Sequence, residues 1–215
     1  MLLRAIAAIC SAYLLGSVPI GFLAARLLRG IDVTRVGSGR TGGSNVLRAA
    51  GLVPAIVTVL GDAGKGYGAV ALAQLIAPGL PLVAVLAGVA SVVGHNWSVF
   101  LGFSGGVGTM TSGGAGFALL PLPTGVSALV GVVVVAIWKH TSLGSITFAL
   151  MLILTSLVSG ITGATGMERV LFALGTGIMA LYNLRPNIKR LREGTERKLG
   201  QYIPAGKKDV QRDHP

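Results

Sequence analysis

AIAAICSAYLLGSVPIGFLAA, residues 5–25, is an apolar stretch of 21 residues without one charged side chain. At about 1.5 Å of rise per residue, a helix of that length spans the roughly 30 Å hydrocarbon core of a bilayer. Arg4 precedes it, as a basic residue precedes a secretory signal, but no Ala-x-Ala cleavage pattern follows, so it reads as a retained span. Cys10 lies inside this span. As the single cysteine it has no intramolecular disulfide partner, and it reads as a small packing residue.

Six further apolar runs follow, at 52–77, 80–93, 109–120, 125–138, 143–159 and 170–184. Seven candidate spans make this an all-α integral membrane protein with seven transmembrane helices. Several runs fall short of the roughly 20 residues that a lipid-exposed helix needs, so those helices extend into their loops or sit shielded inside the bundle. The composition agrees: 52% hydrophobic and 12% charged residues lie outside the range of a soluble domain. The 33 glycines follow no Gly-X-Y repeat. Small residues at that density let transmembrane helices approach closely, which suits a compact bundle.

The breaks between spans fall into two sets. Residues 78–79, 121–123 and 160–168 are short and nearly uncharged, whereas 26–51, 94–108, 139–142 and the segment after 184 are polar. With seven spans, every member of the polar set falls on the same side. Fourteen of the eighteen lysines and arginines lie in the first polar loop or in the segment after 184. The positive-inside rule makes that side cytoplasmic, placing the amino terminus outside and the carboxyl terminus in the cytoplasm. A single membrane domain over 1–200 is then followed by a polar tail, 201–215, expected to fray.

The first polar loop reads Gly37-Ser38-Gly39-Arg40-Thr41-Gly42-Gly43-Ser44-Asn45-Val46-Leu47-Arg48. Glycines free the backbone to form an anion-holding nest of N–H groups, hydroxyls add donors, and Arg40 and Arg48 suit phosphate oxygens. In the second, Gly105, Gly106 and Gly108 stand just before a predicted helix, where free N–H groups and the helix dipole favour an anion. His95, at the mouth of a span, suits either a proton carrier or a hydrogen-bond donor to phosphate. Asp62 and Lys65 lie three apart inside the second run, so they share a helix face and are expected to pair. Ser142 precedes the 143–159 run and reads as a helix cap. Residues 185–198 read as a polar interfacial helix.

Several classes of function find no support. One cysteine with His95, His140 and His214 shows no metal-ligand spacing, and there is no cofactor motif, nucleophile elbow or acid pair. The basic charge is divided among membrane-side loops, which fits topology and phosphate affinity and not nucleic-acid binding.

The order of motifs resembles the bacterial PlsY family. It comprises Gly16-Ser17-Val18-Pro19-Ile20-Gly21-Phe22, Gly37-Ser38-Gly39 with Asn45-Val46-Leu47-Arg48, Asp62 with Lys65-Gly66, Gly94-His95-Asn96 with Gly105-Gly106, Ser142-Leu143, and Asn187-Ile188 with Arg190-Leu191 and Gly194-Thr195-Glu196. The resemblance runs from about residue 16 to 200. It implies a seven-helix enzyme of the bacterial cell membrane, its active site facing the cytoplasm. Such an enzyme moves a fatty acyl group from acyl phosphate to the 1-hydroxyl of glycerol 3-phosphate, giving lysophosphatidic acid. Carried over position by position, Ser38, Arg48, His95 and Asn187 are implied to be catalytic. Asn45, Gly105, Gly106, Gly108, Ser142 and Glu196 are implied to bind the substrates, and the chemistry of the first polar loop adds Arg40 and Ser44 as phosphate-binding residues. The family's Gly-Gly-Lys-Gly loop has Val107 here in place of lysine, and Arg40 stands where asparagine is usual, so a cation from another loop is placed to compensate. Two other classes remain open: a relative that binds a phosphorylated lipid or metabolite without catalysis, and a transporter of a phosphorylated solute.

Overall fold

The computed structural model describes residues 1–201; the tail beyond 201 lies outside the described residues. Apart from one isolated bridge between Ser98 and Ser104, the regular elements among the described residues are all helices. Its helices are α1 (Leu2–Ser17), α2 (Ile20–Arg29), α3 (Gly43–Ala50), α4 (Leu52–Ile76), α5 (Pro81–Asn96), α6 (Thr109–Leu119), α7 (Pro121–Trp138), α8 (Thr141–Ile161), α9 (Val170–Asn183) and α10 (Arg185–Arg192).

Every apolar run is helical, but the lengths differ instructively. The stretches Leu2–Arg29, Pro121–Trp138 and Thr141–Ile161 are each long and apolar enough to cross a membrane. α4 reaches 25 residues but carries Asp62 and Lys65 in its middle. α6, with 11 residues, extends only about 17 Å, and α9, with 14, about 21 Å. Both pack among α5 and α8, yet Phe117, Leu171 and Tyr182 near their ends remain about half exposed. Large apolar side chains cover the outside of the bundle: Leu75 is 80% exposed and Leu60 and Leu129 about two-thirds. Leaving one such side chain in water forgoes about 1.5–3 kcal/mol, a loss that a sheath of acyl chains removes.

The first span is not one helix, as the sequence reading had it, but two, because Pro19 has no N–H to continue α1. Val18 before it adopts φ −56° and ψ 117°, the extended conformation that a following proline favours. Carbonyls freed inside an apolar bundle need other donors. Ser98 Oγ donates to Ser17 O at 2.6 Å and Lys65 Nζ to Val18 O at 2.8 Å.

Glycines set the closest helix contacts. A Cβ at Gly16 would stand 2.1 Å from Ser91 O, so α1 lies directly on the backbone of α5. A Cβ at Gly114 would stand 1.8 Å from Ala63 O, and one at Gly66 2.2 Å from Thr111 O, so α4 and α6 touch backbone to backbone. No real Cβ survives at those separations. An apolar core of Val70, Val85, Leu120, Leu152 and Phe172 fills the bundle centre away from the polar end.

Candidate active site

The first polar loop takes its shape from Asn45, in the first turn of α3. Its Nδ2 donates to Val33 O at 3.1 Å, Val36 O at 3.0 Å and Arg40 O at 2.9 Å, two hydrogens shared among three acceptors. Its Oδ1 accepts from Ser38 N at 3.2 Å. The side chain expected to hold substrate is therefore committed to the loop that carries Ser38 and Arg40. Arg48 projects one turn further along the same helix. It is only 8% exposed, and no described residue bonds its Nε. Burial pushes its guanidinium down to about 10, and nearby Arg197 acts in the same direction.

Behind that loop, Asp62 Oδ1 lies 2.9 Å from Lys65 Nζ, the expected pair, and 3.4 Å from His95 Nδ1. The loop 102–108 lies against His95: Gly106 N donates to His95 O at 3.1 Å, and a Cβ on Gly106 would sit 2.2 Å from His95 Nε2. Gly105 approaches the same backbone, and its carbonyl accepts from Thr41 N at 3.4 Å. Gly105 and Gly106 do not line the cavity described below; they let their loop lie flat on the histidine. Gly108 does line it, at φ 89°, a conformation that favours glycine, and forms the N-cap of α6.

The fourth segment is organised by Glu196. Its Oε1 accepts from Ser142 Oγ at 2.9 Å and from Asn187 Nδ2 at 2.8 Å, and its Oε2 accepts from Arg190 Nε at 2.8 Å. Burial alone would raise this carboxyl, but those three hydrogen bonds hold it below the usual carboxylate range. Ser142 is thus not the cap of α8 that its position suggested: His140 stands at the N-cap, and no side chain caps the helix. Its hydroxyl instead finds a charged acceptor 54 residues away. Asn187 Oδ1 accepts in turn from Arg40 Nη1 at 3.1 Å, and Arg40 Nη2 donates to Asn183 O. Burial lowers the Arg40 guanidinium, and the neighbouring Arg190 adds to that lowering. His140 Nδ1 lies 3.1 Å from Arg197 O, and Leu199 N donates to Lys139 O at 2.6 Å, so residues 196–199 are fastened over the α7–α8 turn.

All four polar segments meet at one open cavity of about 140 Å³. One water needs only about 10–15 Å³ of such space, so a small solute fits where a lone water would leave a void. Ser38, Arg40, Ser44, Asn45, Arg48, His95, Gly108, Ser142, Asn187 and Glu196 line it together, and Val107 lies on the wall among them. The sequence reading placed Arg190 in the family motif but assigned neither it nor Arg197 to the site; Arg190 pairs with Glu196, and Arg197 lines the cavity. The spacing of Asn187 and Arg190, three apart and so on one helix face, is the signal that links Arg190 to the site. Thr109, Thr141 and Ser145 also border the cavity. Chemically the site is a cationic cup. Arg48 has no carboxylate of its own, since the described residues pair Glu196 with Arg190 and Asp62 with Lys65. Such a cup favours a multiply charged anion.

Comparison with known proteins fits this chemistry. Residues 6–194 match the family described as glycerol-3-phosphate acyltransferase. A glycerol-3-phosphate acyltransferase of Shouchella clausii is 38% identical over 94% of this chain and 98% of its own length. That of Alkaliphilus metalliredigens is 42% identical over 90% of this chain and 95% of its own. Two crystal structures of PlsY, an integral membrane glycerol 3-phosphate acyltransferase, superpose closely. The glycerol 3-phosphate form gives a TM-score of 0.82 at 34% identity, covering 91% of this chain and 96% of the other. The lysophosphatidic acid form gives 0.80 at 32% identity, covering 92% and 96%.

Proposed function

The chain belongs to the glycerol-3-phosphate acyltransferase family, and from that premise we propose that this cavity transfers a fatty acyl group from acyl phosphate to the 1-hydroxyl of glycerol 3-phosphate. The glycerol oxygen forms a bond to the acyl carbon, the bond from that carbon to the phosphate oxygen breaks, the hydroxyl proton passes to phosphate, and the products are lysophosphatidic acid and inorganic phosphate. Phosphate is a good leaving group, so the work of the protein is to orient two anionic head groups and to stabilise charge.

The buried Arg48, whose Nε no described residue bonds, is the observation that carries this reading. Arg48 grips phosphate together with the N–H groups opening α3 and the hydroxyls of Ser38 and Ser44. Arg197, Gly108 and the opening turn of α6 hold the second phosphate. Asn187, Glu196, Ser142 and Arg40, locked to one another, form the wall against which the glycerol is oriented. His95 faces the reacting hydroxyl. Val107 and Met110 give the cavity an apolar side toward which the acyl chain runs.

In this proposal the protein resides in the cell membrane with seven spans, the amino terminus outside and the cavity facing the cytoplasm. Fourteen of eighteen basic residues in the first polar loop and the segment after 184 support the orientation, and the meeting of four polar segments at one cavity supports the parity. Membrane-impermeant labelling of single cysteines at Ser38 and Asn187 should modify both from the cytoplasmic side; labelling from opposite sides would end the proposal. For the reaction, purified protein with palmitoyl phosphate and radiolabelled glycerol 3-phosphate should form lysophosphatidic acid, and Arg48→Ala should not. Binding of both compounds without product would overturn the catalytic reading.

A further inference from the structure

Three basic residues of α10 that the reaction outlined above does not use stand together. At about 100° of turn per residue, Arg185, Lys189 and Arg192 fall within about 60° of one another, whereas Asn187 and Arg190, which hold Glu196, lie on the opposite side of the same short helix. The first three are exposed, and with Ile188 and Glu193 they line one shallow depression. We infer that this outer face of α10 is a binding site for an anionic phospholipid of the cytoplasmic leaflet, its phosphodiester on Arg185, Lys189 and Arg192 and its acyl chains along α9.

Two observations select a lipid. The first is the surface that leads to the basic face. Leu171, Ile178 and Tyr182 of α9, spaced by seven and four and so on one side of the helix, are each more than half exposed. This apolar stripe ends at Arg185, whose guanidinium carbon lies 4.3 Å from the centre of the Tyr182 ring. A tyrosine at the end of a lipid-facing stripe sits at head-group level in a bilayer, and the cation stacked on it holds its charge just beyond. The second observation is the charge itself. Three cations stand against the one carboxylate that lines the depression, Glu193, so its surface is cationic. Guanidinium groups suit phosphate oxygens in paired hydrogen bonds, and basic residues beside a membrane span attract anionic lipid. A soluble protein or a free anion would engage the charge and leave the stripe bare. A lipid with its chains in the bilayer covers both.

The inference rests on the orientation proposed above, which puts α10 at the cytoplasmic surface, and does not require acyl transfer. The full-length protein in phosphatidylcholine nanodiscs is doped with a trace of photoactivatable phosphatidylglycerol or photoactivatable phosphatidylcholine, and mass spectrometry maps the crosslinked peptides. The phosphatidylglycerol probe should label residues 182–192 at least fivefold more than the phosphatidylcholine probe, and raised salt should weaken that preference. Arg185→Gln with Arg192→Gln should cut it at least fivefold, since each basic residue near a membrane surface strengthens the attraction of anionic lipid about fivefold. Neither arginine lines the cup, so turnover of this variant in plain phosphatidylcholine should stay within twofold of wild type. Equal labelling of the wild-type protein by the two probes, or a preference that survives the double substitution, would overturn the proposal. Displacement of the phosphatidylglycerol probe by millimolar inorganic phosphate would also overturn it and assign the face to a free anion. Preferential labelling in protein that forms no lysophosphatidic acid would leave the lipid site standing and refute the reaction; equal labelling in an active enzyme would do the reverse.

Discussion

Removing the Glu196 carboxylate should cost far more than removing any one of its donors, and the size of that difference follows from the contacts. Hydrogen bonds to charged groups are worth about 1.5–3 kcal/mol each, and Glu196 accepts three, from Ser142, Asn187 and Arg190. Its side chain is 6% exposed, so solvent does little to replace them. Glu196→Ala also leaves the Arg190 guanidinium without its partner, and breaking such a pair from one side costs about 3–5 kcal/mol. Ser142→Ala, which deletes a single donor, should cost about 1.5–2 kcal/mol. The double variant should be no less stable than Glu196→Ala alone, because the serine has nothing left to hold. Unfolding in detergent, followed by thermal shift and by denaturant where reversible, measures all four proteins. A double variant whose loss equals the sum of the two single losses would refute the shared contact. The pH dependence carries a sign as well. The Glu196 carboxyl is depressed in the folded protein, so its contribution is fully present above the unfolded value of about 4.3 and is lost as pH falls through the lower folded value.

Gly114→Ala should destabilise by about 1–3 kcal/mol or abolish folded yield, since its Cβ would meet Ala63 O at 1.8 Å; near-wild-type stability in size exclusion and thermal shift would show that α4 and α6 separate freely. With Arg48 at about 10 in the free protein, calorimetry should find glycerol 3-phosphate affinity flat in the mildly alkaline range and falling as pH rises through that value, well before an ordinary arginine would lose charge. Arg40→Asn should nearly abolish turnover if Arg40 supplies the cation missing at Val107, and Arg40→Asn with Val107→Lys should restore it in the radiolabel assay. Absence of recovery would mean that the contacts of Arg40 with Asn183 and Asn187 are its whole role.

The helices were legible because apolar runs in a membrane protein have few alternatives, and the Asp62–Lys65 pair because three-residue spacing on one helix leaves the two charges little else to meet. The break at Pro19 was present in the letters but submerged in a continuous apolar count. α3 escaped notice since eight residues opening with Gly-Ser-Asn carry no periodic signal. Within the site, Ser142 and Asn45 show the limit of local reading. A serine ahead of a helix looks the same whether it caps that helix or reaches Glu196, and an asparagine in a glycine-rich loop looks the same whether it holds a ligand or the loop itself. The contact between Arg40 and Asn187 spans 147 residues, and no local pattern encodes it.

The backbone contact between α4 and α6 divides the cup into two materials. Asp62 and Lys65 sit beside Ala63 and Gly66, whose main chain abuts α6 with no side chain between, so the floor beneath His95 has no compressible layer and keeps its dimensions. The opposite rim, made of α10, residues 196–199 and the first polar loop, is joined by hydrogen bonds that a passing head group can exchange for its own. A solute that reaches this cup would therefore displace the rim more easily than the floor.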